Sequence, residues 1–544
     1  MNVYFSGIGG VGIGPLAEIA FDAGYDVQGS DQQASLMTAK LSERGITVNI
    51  GQDGNFLEAC HEKNPVDWLI YTASLPSDHP ELLCAQALGI KTAKRDELLA
   101  HIIKERDLKL IAIAGTHGKT TTTGMLIWVL KELGIPVSYS VGSTLSFGPS
   151  GKYDPNSEYF VYECDEFDEN FLHFSPFLSL ITSIDYDHPD TYPTKQNYLD
   201  AFAQFGRQST QLIAWQSQHG ELFHDHPNAW LLDQTLTVQI PGEHNRRNAT
   251  LVIKTIEKLA IQGDAGTILS HFPGTDRRFE RLADNLYSDY GHHPVEIAAT
   301  LQLACELSEH VVLIYQPHQN VRQHEVRDQY TNCFESAEEV YWLPTYLSRE
   351  DPNLPILPAE ALTRNITNRN AVHIVDLNDE LWNVIQKSLD EGKLVLCMGA
   401  GSIDGWIREH IAVNRVANVL VSTPEGTLVM QQRDNTPGIT NPGMITGFGG
   451  AVEPGETTRE AAIRELHEET NLKFNENELT YHRTIFQPIV NDGTSRWVTY
   501  YRLRDQNIDG LEIYEGAGYA LVDPSVNLSE LNISETAKKA ISFI

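Results

Sequence analysis

The stretch from Leu108 to Gly134 constrains the fold of this chain more than any other. Residues 108–114 form a largely apolar run that is typical of a buried strand, and Gly115-Thr116-His117-Gly118-Lys119-Thr120 follows directly. A helix is predicted from Thr120 to Gly134, because glycine commonly ends helices. A strand, a glycine loop and a helix in this order predict an α/β domain.

The loop itself favours bound phosphate. Backbone N–H groups and the start of a helix attract phosphate oxygens. Lys119 would neutralise the charge of β- and γ-phosphates, and the hydroxyl of Thr120 would coordinate Mg²⁺. The general nucleotide loop has a further glycine where this chain has Ile113, so a purely structural turn stays open as the alternative. The predicted ATP-binding residues here are Gly115, Thr116, His117, Gly118, Lys119, Thr120 and Thr121.

The length of 544 residues predicts several domains, because single hydrophobic cores stop growing at roughly 250–300 residues. The first block repeats a β-α-β pattern, and a third α/β block begins near Gly274. Past Val413 the pattern changes to strands around one amphipathic helix at 458–471, which predicts an independent α+β domain. The predicted domains are 1–106, 107–272, 273–412 and 413–544.

Several motifs across residues 1–412 resemble those of the Mur ligase family. The loop resembles that family's shorter phosphate loop, and Glu163 and His188 match its two magnesium-binding positions. The segment 244–248 resembles its HNxxN element, and Arg277-Arg278 resembles the arginine pair that opens its third domain. The resemblance implies a Rossmann-like UDP-binding domain, a central P-loop ATP-binding domain and a Rossmann-like C-terminal domain. It adds His244, Asn245, Asn248 and Arg278 as ATP-binding residues.

The reaction that the resemblance implies is an ATP-dependent ligation. The γ-phosphate of ATP activates a muramic-acid carboxylate, and an amine attacks the resulting acyl phosphate. Lys119, Arg278 and Mg²⁺ would neutralise charge during the transfer. His188 and Asp289 complete the expected catalytic set.

The glycine loop near the N-terminus has two interpretations. Gly7, Gly9, Gly10 and Gly12 precede a predicted helix, and Ser30-Asp31 follow the next strand. The pattern alone would also suit an NAD-dependent oxidoreductase. The Mur ligase resemblance instead makes these six residues the UDP-substrate site.

Members of the family that join L-alanine to UDP-N-acetylmuramate share the most with this chain, notably 168–173, 316–318 and 399–403. Gln319-Asn320 and Phe167 depart from their pattern. The members that add a preformed tripeptide to the same acceptor are therefore the alternative. His292, His293 and His318 are the predicted amine-substrate residues, and a metal site at the two adjacent histidines is a further alternative.

The last domain carries its own motif. Gly450 to Leu472 matches the Nudix box except for Asn471, where glycine is usual. Asparagine tolerates left-handed backbone geometry better than most residues. On a helix Glu465, Glu468 and Glu469 share one face, and hard oxygen ligands suit Mg²⁺ or Mn²⁺. The resemblance implies hydrolysis of a nucleoside diphosphate derivative, with these glutamates, Glu456, Gly449 and Glu515 as metal ligands. Glu465 and Glu468 are also the expected catalytic residues, which activate water. A domain that only binds nucleotide or regulates is the alternative.

Charge and cysteines limit the partners. The net charge of −33 disfavours nucleic acid and anionic membranes. Six scattered cysteines suggest neither a zinc knuckle nor a disulfide framework. The chain shows no signal peptide and no apolar stretch long enough to span a bilayer. We therefore expect a cytoplasmic enzyme without membrane insertion.

Overall fold

The computed structural model describes residues 1–72, 75–188, 191–348, 350–436, 439–488 and 495–544. The chain divides into two units, Met1–Arg278 and Phe279–Ile544. In these described stretches no helix is both long enough and apolar enough to cross a membrane.

The first domain is an α/β layer around a parallel sheet. Its elements are β1 (Asn2–Ser6), α1 (Gly14–Asp22), β2 (Asp26–Asp31), α2 (Leu36–Glu43), β3 (Thr47–Ile50), α3 (Asn55–Lys63), β4 (Trp68–Tyr71), α4 (Pro80–Leu88), β5 (Lys91–Lys94) and α5 (Arg95–Glu105). The strand order is β3-β2-β1-β4-β5, and all pairings are parallel. Strand β1 is fully buried at the centre. The order reverses there, so the glycine loop opens at the crevice where such sheets bind ligands.

The second domain has a larger sheet. Its elements are β6 (Lys109–Ala114), α6 (Lys119–Glu132), β7 (Val137–Ser140), β8 (Gly151–Lys152), β9 (Tyr159–Glu163), β10 (Leu178–Ile181), α7 (Lys195–Gln208), β11 (Gln211–Trp215), α8 (Gln216–Phe223), β12 (Ala229–Leu232), α9 (Glu243–Lys258) and α10 (Ala265–Leu269). The order is β12-β11-β10-β6-β9-β7-β8, and only β8 runs antiparallel to its neighbour. The predicted strand over 108–114 is present as β6, between β10 and β9. The loop after it therefore lies beside the ends of two parallel strands.

The third domain is again α/β. Its elements are β13 (Glu280–Ala283), β14 (Leu286–Asp289), α11 (Pro294–Leu307), β15 (Val311–Tyr315), α12 (Asn320–Val326), β16 (Glu339–Trp342), α13 (Ala359–Thr363), β17 (Val372–Ile374), α14 (Asp379–Asp390), β18 (Leu394–Met398) and α15 (Ile403–Ile411). The order is β13-β14-β18-β15-β16-β17, with only the first pair antiparallel. The carboxyl ends of β14 and β15 carry the histidine motifs.

The last domain is a mixed sheet between two helices. Its elements are β19 (Arg415–Ser422), β20 (Leu428–Gln432), β21 (Ile445–Thr446), β22 (Phe448–Ala451), α16 (Thr458–Glu469), β23 (Thr480–Gln487), β24 (Arg496–Leu503), β25 (Gly518–Val522) and α17 (Glu535–Ile541). Helix α16, predicted over 458–471, packs its Ala461 and Leu466 in one cluster with Val429. Helix α17 packs against the opposite face, in a cluster with Met430 and Val522.

The third and last domains share a hydrophobic core. Only residues 412–414 separate α15 from β19. Phe486 and Trp497 are buried in the cluster formed by β14, β15, α14 and α15, and the rings of Trp382 and Trp497 lie 6.1 Å apart. Arg483 pairs with Asp284 at 3.5 Å. The last domain therefore packs its β23–β24 edge against the third domain.

Candidate functional site

The loop between β6 and α6 depends on two glycines. Gly115 has a φ of 135°, and Gly118 caps α6 with a φ of 84°, a region that favours glycine. A Cβ at Gly115 would lie 2.3 Å from Oγ1 of Thr182, and one at Gly118 would lie 2.9 Å from Oδ1 of Asn248. The loop is thus held between these two side chains, with the start of α6 available to an anion.

Lys119 folds back over this loop. Its Nζ donates to the carbonyl of Gly115 at 2.6 Å and to Oε2 of Glu166 at 2.8 Å. Burial by itself would lower the pKa of Lys119, but the carboxylates of Glu166 and Asp165 outweigh that effect and raise it above its usual range. The side chain therefore keeps its positive charge at the place where phosphate would bind.

Oxygen donors for a divalent cation lie in two groups. Oγ1 of Thr120 donates to Oε1 of Glu163 at 2.8 Å, and this hydroxyl and carboxylate are hard donors that suit Mg²⁺. His188 belongs to a second group with Asp165 and Glu166, whose ligand atoms lie within 4.8 Å of one another. In the part of the chain that the structure describes, no other His, Cys, Asp and Glu side chains form a group of three this tight.

The N-terminal glycine loop is closed against the end of β2. The backbone N–H groups of Gly7 and Ile8 both donate to the carbonyl of Ser30 at 2.9 Å. The N–H of Gly9 donates to Oδ2 of Asp31 at 2.8 Å. Ser30 and Asp31 thus shape the loop that was predicted to bind the UDP diphosphate.

Beneath this loop lies a buried carboxylate. Glu81 is fully buried, and its Oε1 accepts hydrogen bonds from the hydroxyls of Tyr4 and Ser30, both at 2.6 Å. Nε2 of Gln52 lies 3.3 Å from its Oε2. The side chain of Ser30 therefore faces the interior, and its network fixes the ends of β1 and β2.

A guanidinium lies against the same loop. A Cβ at Gly12 would be 2.8 Å from Nη1 of Arg95, the first residue of α5. Nη2 of Arg95 pairs with Oδ1 of Asp96 at 3.3 Å. Because guanidinium groups bind phosphate strongly, Arg95 is a candidate to hold an anionic substrate at this loop. The sequence carried one signal for it, since Arg95 directly follows β5 at the carboxyl edge of the sheet.

His292 is held as a neutral ring. Its Nε2 accepts from the guanidinium of Arg322, and its Nδ1 lies 3.2 Å from the carbonyl of Tyr290. Burial lowers the pKa of His292 to about 4. The ring of His318 lies 5.5 Å away. These two predicted amine-substrate residues are therefore neighbours, and the positive Arg322 beside them disfavours a metal ion.

His293 and Asp289 have local structural roles. Nδ1 of His293 accepts from the N–H of Val295 at 3.4 Å and caps α11. Asp289 accepts from the N–H groups of Gly291 and Phe279, both at 2.7 Å. The two adjacent histidines therefore do not present a joint site, and the metal alternative is not supported.

In the last domain, one arginine gathers the acidic residues. Nε of Arg464 donates to Glu456 at 2.9 Å, and its Nη1 donates to Glu465 at 2.8 Å and to Glu468 at 3.0 Å. The side chain of Glu468 is 59% exposed. The side chains of Glu456 and Glu465 are only 15% exposed, and all three carboxylates are held by a cation that a metal ion would have to replace.

Glu469 turns into the sheet instead. Its Oε1 accepts from Nε2 of Gln431 at 2.7 Å, and its Oε2 accepts from the N–H of Gly449 at 2.8 Å. Burial raises the pKa of Glu469 to about 8, with repulsion from Glu465 and Glu515 adding to it. A divalent cation would relieve this repulsion, so the donor set fits Mg²⁺ or Mn²⁺.

Asn471, which stands where the Nudix box usually has glycine, is held through its side chain. Asn471 is not among the described residues whose φ is positive, so its backbone is not left-handed. Its Nδ2 instead donates to the carbonyl of Gly510 at 2.9 Å, and its Oδ1 accepts from the N–H of Glu512 at 2.9 Å. The residue therefore replaces glycine by tying down the chain before Glu515.

Comparison with known families gives four matches. The "Mur ligase family, catalytic domain" matches residues 2–107, the "Mur ligase middle domain" 113–230 and the "Mur ligase, glutamate ligase domain" 277–401. The UDP-N-acetylmuramate–L-alanine ligase of Carboxydothermus hydrogenoformans is 31% identical over 449 residues, which cover 74% of this chain and 95% of that enzyme. The chain belongs to the Mur ligase family. It is an ATP-dependent ligase that also carries a NUDIX domain, matched at 413–514.

Solved structures also match the Mur ligase part of this chain. The UDP-N-acetylmuramate-alanine ligase of Thermotoga maritima is 25% identical, with a TM-score of 0.58, and the match covers 75% of this chain and 98% of that one. A murein peptide ligase of Psychrobacter arcticus shares the fold, with 21% identity, a TM-score of 0.50 and the same coverage. The predicted three-domain α/β fold followed by an α+β Nudix domain is confirmed.

Other predicted site residues lie where the Mur ligase fold begins or ends an element. His244 and Asn245 are in the first turn of α9, and Nδ2 of Asn245 donates to the carbonyl of Pro241 at 3.1 Å. Arg278 is the last residue of the first unit, and its N–H donates to the carbonyl of Thr275 at 3.1 Å. Their roles toward ATP stay predictions.

Proposed function

We propose that this Mur ligase joins L-alanine to UDP-N-acetylmuramate through an acyl phosphate. The observation that carries the proposal is the charged Lys119 over the phosphate loop, beside the Thr120–Glu163 oxygen pair. The curated relatives named as UDP-N-acetylmuramate–L-alanine ligases support the choice of amine, since they align over about 95% of their length. A ligase for a murein tripeptide is the alternative.

The protein's part in this reaction is positioning and charge neutralisation. A carboxylate oxygen of the acceptor attacks the γ-phosphorus of ATP, and the bond to the bridging oxygen of ADP breaks. Lys119 neutralises the charge that develops there. The amine then attacks the acyl carbon, loses a proton and displaces phosphate. Mg²⁺, held at Thr120 and Glu163 and at the His188 group, would add charge compensation.

The test identifies the amine directly. The full chain is incubated with ATP, Mg²⁺, UDP-N-acetylmuramate and either L-alanine or the tripeptide, and the product is identified by mass. We expect the L-alanine adduct. Lys119→Ala should reduce turnover by about 10²-fold or more, whereas Lys131→Ala, on the same helix, should not. Ligation only of the tripeptide would transfer the proposal to the alternative.

We further propose that the Nudix domain hydrolyses a nucleoside diphosphate derivative. Water attacks one phosphorus, the bond to the bridging oxygen breaks, and two phosphate monoesters leave. Glu465, Glu468 and Glu469 would hold the divalent cation, with Glu456, Glu515 and the Gly449 carbonyl in support. The grouping of Glu456, Glu465 and Glu468 around Arg464, at hydrogen-bond distances of 2.8–3.0 Å, is the observation that favours this function.

This activity is assayed on the full chain, because the domain shares its core with its neighbour. Hydrolysis of nucleoside diphosphate sugars, dinucleotides and oxidised nucleotides is followed with Mg²⁺ or Mn²⁺. Glu465→Gln should abolish it, and Glu478→Gln, at an exposed position beyond α16, should leave it intact. No turnover by the wild-type chain on any substrate class would favour a domain that only binds or regulates.

A further inference from the structure

Strand β25 forms an edge of the Nudix sheet, where among the described strands it pairs with β20. In this antiparallel pair Val429 lies opposite Leu521, and Gln431 lies opposite Tyr519. Opposite residues project to the same face, and Val429 packs in the α16 cluster. Tyr519 and Leu521 therefore belong to the α16 face, but they are 42% and 58% exposed. Helix α16 leaves this edge uncovered.

The uncovered edge is continuous with the acidic site. Gln431, the cross-strand neighbour of Tyr519, donates through Nε2 to Glu469 at 2.7 Å and to the carbonyl of Glu515 at 3.3 Å. Opposite side chains in an antiparallel pair have Cβ atoms about 5 Å apart. Tyr519 is thus one side chain away from the carboxylates that would hold the metal ion.

A positive group completes this edge. Arg433 follows β20, and its Nη1 donates to Oε1 of Gln431 at 3.4 Å, which places the guanidinium on the same face. It is partly exposed. This edge therefore brings together four kinds of group: an aromatic ring, an aliphatic side chain, a guanidinium and a group of carboxylates. A ligand with a flat apolar base and an anionic diphosphate matches this set.

We propose that Tyr519 and Leu521 form the subsite for the nucleobase of a nucleoside diphosphate derivative, and that Arg433 contacts its diphosphate. The proposal rests on the Nudix function proposed above and names the residues that select its substrate. Aromatic stacking suits any base, because every base has a π-face. The charge of Arg433 favours this anionic ligand over a neutral peptide.

The experiment compares full-length variants. Hydrolysis of ADP-, GDP-, CDP- and UDP-glucose is measured with Mg²⁺, without ATP or UDP-N-acetylmuramate. Tyr519→Ala and Leu521→Ala should raise KM for the preferred compound, Tyr519→Ala by about 10-fold, the size expected from lost stacking. Tyr519→Phe keeps the ring and should stay close to wild type. Tyr481→Ala removes an exposed tyrosine from the other edge strand and is the control.

Each outcome separates the subsite from the hydrolase. If the wild-type chain turns over a compound and Tyr519→Ala does so with unchanged KM, the subsite is overturned while the hydrolase stands. If the wild type turns over none, the hydrolase proposal fails. In that case, binding of the same compounds is measured by saturation-transfer magnetic resonance, with Lys119→Ala present in every protein. Loss of saturation at the base protons when Tyr519→Ala is added supports the subsite. Equal saturation with and without Tyr519→Ala overturns it. A variant that alters only the oligomeric state assigns the edge to chain pairing instead.

Discussion

Replacing His219 by leucine should make the first unit less sensitive to acid. His219 lies in α8 with 2% exposure, and within the described structure neither ring nitrogen has a hydrogen-bond partner. Burial lowers its pKa from 6.5 to about 4, and the nearby Arg247 adds to the effect. The folded chain therefore holds a neutral ring, while the unfolded chain takes up a proton below pH 6.5.

The size of the effect follows from this difference of about 2.5 pH units. The stability that the neutral ring contributes is present above pH 6.5 and is lost as the pH falls toward 4. At about 1.36 kcal/mol per unit, the full loss is about 3.4 kcal/mol. Between pH 7.5 and 5.5 it amounts to about 1.3 kcal/mol. His219→Leu should not show this loss.

Hydrogen exchange of the amides in β10 and β11 measures the opening free energy of this region. Wild type and His219→Leu are compared at pH 7.5 and 5.5, so that intrinsic exchange rates cancel at each pH. The difference in opening free energy between the variant and the wild type should shift by about 1.3 kcal/mol in favour of the variant when the pH falls from 7.5 to 5.5. His224→Leu, an exposed histidine that follows the same helix, should show no shift. An unchanged gap in His219→Leu would refute the reasoning.

Three further predictions concern single contacts. Gly449→Ala should destabilise the second unit by about 2 kcal/mol or more beyond Gly426→Ala, as thermal unfolding would show. Both glycines have a positive φ, but a Cβ at Gly449 would lie 1.9 Å from the carbonyl of Ala417, whereas one at Gly426 would have open space. Trp497→Ala should lower the free energy of unfolding by about 3–5 kcal/mol. Limited proteolysis should then cut the third and last domains together, and cleavage confined to the last domain would contradict the shared core. Arg95→Ala should raise KM for UDP-N-acetylmuramate about 10-fold or more without changing KM for ATP, as steady-state kinetics would show against Arg106→Ala at the other end of α5.

Local sequence patterns predicted the strands and the metal-binding side chains that follow them. The run at 108–114 was predicted as a buried strand because its residues are largely apolar, and Thr120 and Glu163 meet because each follows or ends a central strand. Glu166 and Arg95 were missed, because their importance comes from contacts with Lys119 and with Gly12, which are distant in sequence. A local pattern contains no information about such pairs.

Two contacts of the last domain could not be predicted from the local sequence. Asparagine at 471 was expected to leave the fold intact in place of the usual glycine, but its side-chain contacts with residues 510 and 512, which are distant in sequence, could not be predicted. The change after Val413 from alternating strands and helices to strands around one helix predicted an independent domain. Trp497 and Phe486 alternate with other residues on their strands as core residues do, and their sequence does not tell which core they enter.

The shared core has a consequence for how this enzyme can be regulated and engineered. Because three residues join α15 to β19 and Trp497 completes the hydrophobic cluster of the third domain, truncation after residue 412 removes part of the ligase's own interior. The ligase and Nudix domains lie on one chain and are synthesised in a fixed one-to-one stoichiometry. Proteolytic release of the Nudix part would uncover the hydrophobic surface that Phe486 and Trp497 bury, so a designer who wants the ligase alone has to replace that buried surface.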